Sequence, residues 1–273
     1  MLRAKKSLGQ NFLVDERAIE SIVRAVAPRE GETVVEIGAG RGALTGRLLK
    51  TAGRLVAVEF DRELVPLLRK QFAAFENFTL IEGDALTIDL CDAIAPATKA
   101  RLVANLPYYI STAILQRLLE QRECLSELVL MLQREVVERI TAAPATSERG
   151  YLSVLVEAYA EVERLFEVAP TSFRPVPKVW SAVIRLRVRP QLAVEVRDEA
   201  LLWRIVSAGF AQRRKTIFNN LRSAPADLRQ LIEQAGGAES LLAAANIEAR
   251  RRAETLTLAE WARLANSLES HNS

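Results

Sequence analysis

Thr33-Val34-Val35-Glu36-Ile37-Gly38-Ala39-Gly40-Arg41-Gly42 is the stretch that decides the fold. Its first half is β-branched and apolar, opened by Gly31, and reads as a buried strand. Its second half puts three glycines into five residues and runs into residues 43–50, which are helical in pattern. A strand, a glycine loop and a helix in that order form a nucleotide-cofactor signature. The glycines allow a tight turn and let a ligand approach the backbone at a helix N-terminus. The loop alone does not choose the nucleotide. Gly38, Gly40 and Ala43 also satisfy the dinucleotide fingerprint in its Gly/Ala form, so a nicotinamide cofactor stays open.

Outward from this stretch, strands are expected at 54–58, 78–81, 102–104 and 128–132, with helices at 61–75, 111–119 and 135–141. Upstream, Asp15 reads as the N-cap of a helix carrying Ile19, Ile22, Val23 and Val26 and stopped by Pro28. This alternation predicts an α/β fold, a parallel sheet with helices on both faces. Residues 152–159 read as helical or partly extended. Strands near 160–168 and 179–188 then bracket a proline-rich loop at 171–178. Beyond Pro190 the chain becomes rich in Ala, Leu and Arg with helical periodicity. A boundary near 190–198 follows, dividing the chain into a domain at 1–193 and a small all-helical domain at 194–273.

Acidic residues narrow the cofactor. Glu59 ends the second strand, 21 residues after Gly38, where a carboxylate can accept from both ribose hydroxyls. NAD and S-adenosylmethionine (SAM) proteins share that feature. The third strand also ends in an acid, Gly83-Asp84, placed to accept from an adenine amine. An acid with each of three successive strands (Glu36, Glu59, Asp84) is the pattern of class I SAM-dependent methyltransferases with a Rossmann-like sheet. For any one of them a helix-capping carboxylate is the plain alternative. Asn105-Leu106-Pro107-Tyr108 then follows the fourth strand, at the edge where open α/β sheets carry their sites. The Asn105 side chain and the Leu106 carbonyl can accept the hydrogens of an adenine amine, and Tyr108 can stack on the base. Such acceptors localise the nitrogen lone pair and stabilise positive charge developing during in-line attack on a sulfonium methyl. A proline turn with a core tyrosine is the alternative.

Composition limits the chemistry further. Of 273 residues, 49% are hydrophobic and 26% charged, enough apolar content for a real core. The single histidine, His271, is the third residue from the end, which excludes Ser-His-Asp and Cys-His catalysis. Cys91 and Cys124 cannot make a zinc site, so no metal is expected. Two cysteines do not suggest a disulfide framework either, so a reducing cytoplasm is the expected location. No apolar run suits a signal peptide or a membrane span. The net charge of +3 is segregated: residues 168–194 carry five basic residues and no acid, and 201–229 carry six against Asp227. That distribution suits a polyanion-binding surface as well as solvated helix faces.

Taken together, these motifs resemble the ribosomal RNA adenine dimethylase family, KsgA type, over nearly the whole chain. Lys5-Lys6-Ser7-Leu8-Gly9-Gln10-Asn11-Phe12-Leu13 is similar to its N-terminal motif, which implies that Gln10, Asn11 and Leu13 line the SAM pocket. The resemblance places Gly38, Gly40, Glu59, Asp84 and Asn105 at the remaining cofactor positions. It makes Asn105, Leu106, Pro107 and Tyr108 the catalytic motif. Phe173-Arg174-Pro175-Val176-Pro177-Lys178-Val179 resembles the target-base loop, with Phe173 as a second stacking partner opposite Tyr108. Ala39 and Trp180 depart from the family, which commonly has proline and a small or acidic residue there.

The resemblance implies a monomer that uses S-adenosyl-L-methionine and dimethylates two adjacent adenosines in a hairpin loop near the 3′ end of 16S rRNA. The substrate would be the assembled small ribosomal subunit, with a late assembly-checkpoint role beside the methylation. Macrolide-resistance adenine methylases, which act on large-subunit RNA, share the N-terminal and catalytic motifs. Residues 210–216 (Phe-Ala-Gln-Arg-Arg-Lys-Thr) with Asn219-Asn220-Leu221 resemble the C-terminal module of the small-subunit enzymes instead, as a docking domain for RNA. A non-catalytic RNA-binding factor would have lost the motif at 105–108, which is intact. A nicotinamide oxidoreductase would leave Asp84, that motif and the basic module without a role.

Overall fold

In the computed structural model, which describes residues 4–5 and 8–269, the decisive strand spans Thr33–Ile37 and all five of its residues are buried. Lys6 and Ser7 of the N-terminal motif, and His271, lie outside the described residues. Before that strand come β1 (Phe12–Leu13) and α1 (Glu16–Val26), which makes it β2. Asp15 caps α1 as expected, accepting from the N–H groups of Arg17 and Ala18. After β2 follow α2 (Thr45–Leu48), β3 (Arg54–Glu59), α3 (Val65–Gln71) and β4 (Phe78–Glu82). Next come α4 (Leu90–Ile94), β5 (Ala100–Asn105), α5 (Ser111–Glu120) and β6 (Leu125–Gln133). Helices α6 (Arg134–Ile140) and α7 (Tyr151–Tyr159) precede β7 (Ala160–Val168), β8 (Phe173–Arg174) and β9 (Ser181–Val188).

The main sheet has the order β4-β3-β2-β5-β6-β9-β7. Its first five strands are parallel, but β9 runs antiparallel to both β6 and β7, so the fully parallel sheet expected from the sequence is corrected to a mixed one. No α-helix lies between β7 and β9 to carry the chain across the sheet, so β9 returns in the opposite direction. Strand order reverses at β2, which is flanked by β3 and β5, and the crevice beyond its carboxyl end is where such sheets bind ligands. A second, two-residue pairing joins β1 to β8, aligning Leu13 with Phe173.

The chain forms two compact units: residues up to Val137 with Ala160–Pro190, and Glu138–Tyr159 with residues from Gln191 onward. The second unit contains α7 together with α8 (Glu199–Gly209), α9 (Ile217–Arg222), α10 (Ala226–Gln234), α11 (Gly237–Ala244) and α12 (Leu258–Glu269). Its core holds Leu202, Ile205, Val206, Leu241 and Trp261, and Val154 and Ala158 of α7 join them. Residues 138–159, which the sequence division gave to the first domain, therefore group with the C-terminal helices. The reason lies in α7: seven of its nine residues are buried, and a helix apolar on most sides needs cover on more than one.

Cys91 of α4 and Cys124, immediately before β6, are joined as a disulfide with their Cα atoms 5.3 Å apart. This corrects the expectation drawn from the cysteine count. Gln121 brings the two together by accepting the N–H of Leu90 at 2.6 Å and donating to the carbonyl of Ile88 at 3.2 Å. Both cysteines lie at the amino edge of the strands, away from the ligand crevice.

Candidate functional site

The loops after β2, β3, β4 and β5 and the segment from Leu8 to Phe12 enclose a cavity of about 340 Å³. That falls in the range of small-molecule sites. Ten of the residues named from the sequence line it: Gln10, Asn11, Gly38, Gly40, Glu59, Asp84, Asn105, Leu106, Pro107 and Tyr108. Segments more than 90 residues apart in sequence meet because parallel strands deliver their carboxyl ends to one edge.

Glu59 ties two loops together. Its Oε2 accepts the N–H of Gly40 at 2.7 Å and its Oε1 accepts that of Asp61 at 2.8 Å. Burial pushes the Glu59 carboxyl up, and those two N–H groups oppose the rise. Gly40 has φ +59°, and a Cβ there would lie 3.3 Å from the Phe12 ring. The position therefore calls for glycine by both conformation and space. The Arg41 guanidinium lies 4.3 Å from the centroid of that same ring.

The N-terminal segment is fastened to the turn after β3. Gln10 donates to Asp61 Oδ2 at 2.8 Å, and the Lys5 ammonium donates to Asp61 Oδ1 at 2.7 Å. Gln10 also accepts the Lys5 N–H at 2.8 Å. Burial alone would raise the Asp61 carboxyl, but the bonds from Lys5 and Gln10 outweigh it and hold it below the ordinary carboxylate range.

Asp84 Oδ1 accepts the N–H of Leu86 at 2.9 Å, and its other oxygen has no partner among the described residues. Asn105 donates through Nδ2 to the Asn11 carbonyl at 3.3 Å, which leaves its side-chain oxygen unpartnered among the described residues. Leu106 is fixed through its N–H to the Met131 carbonyl of β6, at 3.2 Å. Tyr108 shares a hydrogen bond with Ser181 at 2.7 Å, and burial raises its phenol. The donor set fits a nucleoside-bearing cofactor: two carboxylates able to accept, a glycine floor, and acceptors beside an aromatic ring.

Two expected site residues are not brought to this cavity. Leu13 and Phe173 face each other across the β1–β8 pairing and turn into the apolar core with Val26, Leu55 and Val183. Phe173 is 0% exposed and offers no face to a base. Glu36 is also removed from the cavity: buried within β2, it accepts the Thr45 hydroxyl at 2.6 Å. Burial pushes its carboxyl up to about 7, with the Thr45 bond opposing and the Glu59 charge adding to the rise.

Sequence reasoning missed Phe60, Asp61 and Ser181. Phe60, 57% exposed, forms part of the cavity wall, and its position directly after Glu59 was the available signal. Asp61 carried a similar signal, lying two residues past a strand-ending acid. Nothing local marks Ser181, because its partner Tyr108 is 73 residues away.

The sequence profile of the family described as "Ribosomal RNA adenine dimethylase" matches residues 1–264. A relative from Geobacter sulfurreducens, named ribosomal RNA small subunit methyltransferase A, is 45% identical over 269 residues, covering 98% of this chain and 96% of its own. Its namesake in Pseudomonas aeruginosa is 42% identical over 266 residues, covering 97% and 95%. Among solved structures, a dimethyladenosine transferase from Plasmodium falciparum superposes with a TM-score of 0.78 at 21% identity, covering 96% of this chain and 98% of that one. The 23S rRNA methyltransferase ErmE gives 0.67 at 26% identity, covering 95% and 100%.

Proposed function

The chain belongs to the ribosomal RNA adenine dimethylase family, and from that premise we propose that it methylates the N6 amines of two adjacent adenosines near the 3′ end of 16S rRNA, dimethylating each. It is a SAM-dependent methyltransferase of the class I fold. The observation that carries the reading is the convergence of Glu59, Asp84 and residues 105–108 on one cavity.

When bound, S-adenosyl-L-methionine supplies an electrophilic methyl group on its sulfonium. Glu59 would hold the ribose hydroxyls and Asp84 the adenine amine, while Gly38 and Gly40 would let the ligand lie close to the backbone. Asn105 Oδ1 and the Leu106 carbonyl accept the hydrogens of the substrate amine and stabilise the charge that grows on its nitrogen. Tyr108 presents its ring to the target base. No general base has to act before attack, which suits a site without a histidine.

The substrate is the small ribosomal subunit, which places the reaction in the cytoplasm. The enzyme works as a monomer, with the helical unit docking on RNA. Its basic segment supports that role: Arg214 and Lys215 are exposed, and their side chains have no partner among the described residues. None of the described helices is long and apolar enough to cross a membrane. The relatives at 42–45% identity carry the small-subunit name, which favours 16S over 23S rRNA. Incubation with methyl-labelled SAM and undermethylated small or large subunits tests the proposal. Label in adenines of 16S rRNA is expected, and label only in 23S rRNA, or none, overturns it.

A further inference from the structure

With Phe173 packed in the core, the aromatic side chain exposed at the end of the same loop is Trp180. We propose that Trp180, flanked by Lys178 and Arg174, is a stacking platform for an unpaired RNA base next to the target adenosine. The proposal rests on the reaction assigned above and adds where the substrate strand runs.

Three observations carry it. First, the stretch from Arg174 to Trp180 is exposed except for the half-buried Pro177, and its apolar side chains stand in water: Val176 is 53%, Val179 43% and Trp180 45% exposed. Contiguous apolar exposure of this kind marks a contact surface. Second, the exposed cation Lys178 lies on that stretch and residues 168–194 contain no acid, so the surface matches a phosphate backbone; Arg174 adds exposed positive charge while its guanidinium braces the loop through the carbonyls of Thr171 and Phe173. An indole face with nearby cations is how single strands are gripped: bases stack on the ring, and the charges follow the phosphates.

Third, the platform adjoins the acceptor side of the cavity. Trp180 directly precedes Ser181, whose hydroxyl holds Tyr108. Its backbone is pinned as well, since the Trp180 carbonyl accepts the N–H of Arg134 at 3.0 Å and Ser181 is paired with Gln133. The main chain is therefore fixed while the indole stays open. A base on Trp180 and a base on Tyr108 would belong to nucleotides close together on one strand. Because every base has a π-face, such a platform adds affinity without reading sequence.

Indole fluorescence of the full chain, titrated with single-stranded hexa-adenylate RNA in the presence of S-adenosylhomocysteine, tests this. Of the three tryptophans, Trp261 is fully buried and Trp203 partly so, which makes Trp180 the principal quenchable ring. Quenching is expected in the native chain. Trp180→Ala should lose it, weaken oligonucleotide affinity roughly tenfold and raise KM for small subunits with little change in kcat. Trp180→Phe should retain most of the affinity. Native affinity and native KM in Trp180→Ala overturn the proposal, as does quenching that survives the substitution. A surface built for a peptide would show no quenching by RNA, and that result overturns it too. Loss of the platform with methyl transfer intact is distinct from failure of the reaction itself, in which no subunit accepts label.

Discussion

Tyr108 and Ser181 meet at 2.7 Å, a loop residue after a parallel strand bonded to the first residue of the antiparallel strand beyond its neighbour. Ser181 is fully buried, so the bond fixes the direction of the phenol ring rather than decorating a surface. Ser181→Ala should slow single-turnover methyl transfer about fivefold, the equivalent of about 1 kcal/mol for one net hydrogen bond. Tyr108→Phe should give a similar loss in rate, and the double variant little more than either. SAM affinity should be unchanged. Fully additive losses would mean that the two residues act separately.

Glu59→Gln replaces an acceptor-only group with an amide that has to face two backbone N–H donors, those of Gly40 and Asp61. Loss of charge-assisted bonds predicts SAM binding weaker by about 1.5–3 kcal/mol. Calorimetry with SAM checks it, and native affinity in a folded variant would remove Glu59 from the cofactor site.

Glu36 makes stability depend on pH. Its folded-state carboxyl is raised to about 7, above the 4.5 of the unfolded chain, so the folded state binds the extra proton between those values. Its contribution is therefore complete below pH 4.5 and is lost as pH rises through 7, by roughly 3 kcal/mol at most. Glu36→Gln should flatten that limb of a denaturation-versus-pH curve. An identical slope in the variant would show that Glu36 does not titrate there.

The bond between Cys91 and Cys124 closes a loop of 33 residues. Loop-closure entropy gives about 2–4 kcal/mol for such a link. The chain should melt at lower temperature after full reduction, and Cys91→Ser should melt there with or without reductant. Two titratable thiols in the native, unreduced protein would contradict the link.

Of the basic triplet at 213–215, Arg213 is already engaged, donating to the carbonyls of Ser147 and Arg149. Phosphate contact is therefore expected from Arg214 and Lys215. Replacing both by alanine should reduce the slope of log affinity against log salt, for small-subunit binding, by roughly 0.7–0.9 per residue. Arg213→Ala should instead lower the melting temperature. A salt slope unchanged by the double substitution would move the RNA surface elsewhere.

Strand–loop–helix order was legible from residues 33–42, because a buried strand and a glycine turn are both local signals. So were Glu59 and Asp84, since the carboxyl ends of parallel strands share one edge. Direction and pairing were less accessible. The antiparallel setting of β9 depends on a connection without a helix, and the β1–β8 pairing joins Leu13 to Phe173, 160 positions away. That pairing, Phe12 with Arg174 and Leu13 with Phe173, decided the fates of Leu13 and Phe173, whose motif positions suggested the cavity while their pairing turned them into the core. Glu36 shows a related limit: its place in the strand was readable, but nothing local says that its carboxyl turns to the Thr45 hydroxyl rather than to the crevice beyond the strand's end.

The second unit takes its chain from two places, Glu138–Tyr159 and the stretch from Gln191 onward. During synthesis α7 emerges first, and its partners in α8 and α12 follow only after β7, β8 and β9 have been made. At ~5–20 residues per second, the roughly 80 residues after Pro190 take several seconds to appear. Throughout that interval Val154 and Ala158 lack the apolar neighbours that bury them in the finished protein. The sheet can be completed at Pro190, so the order of birth is reversed in the order of closure. A chain truncated after Pro190 and released from the ribosome should carry a finished sheet and a bare helix, and that helix is where a chaperone would bind.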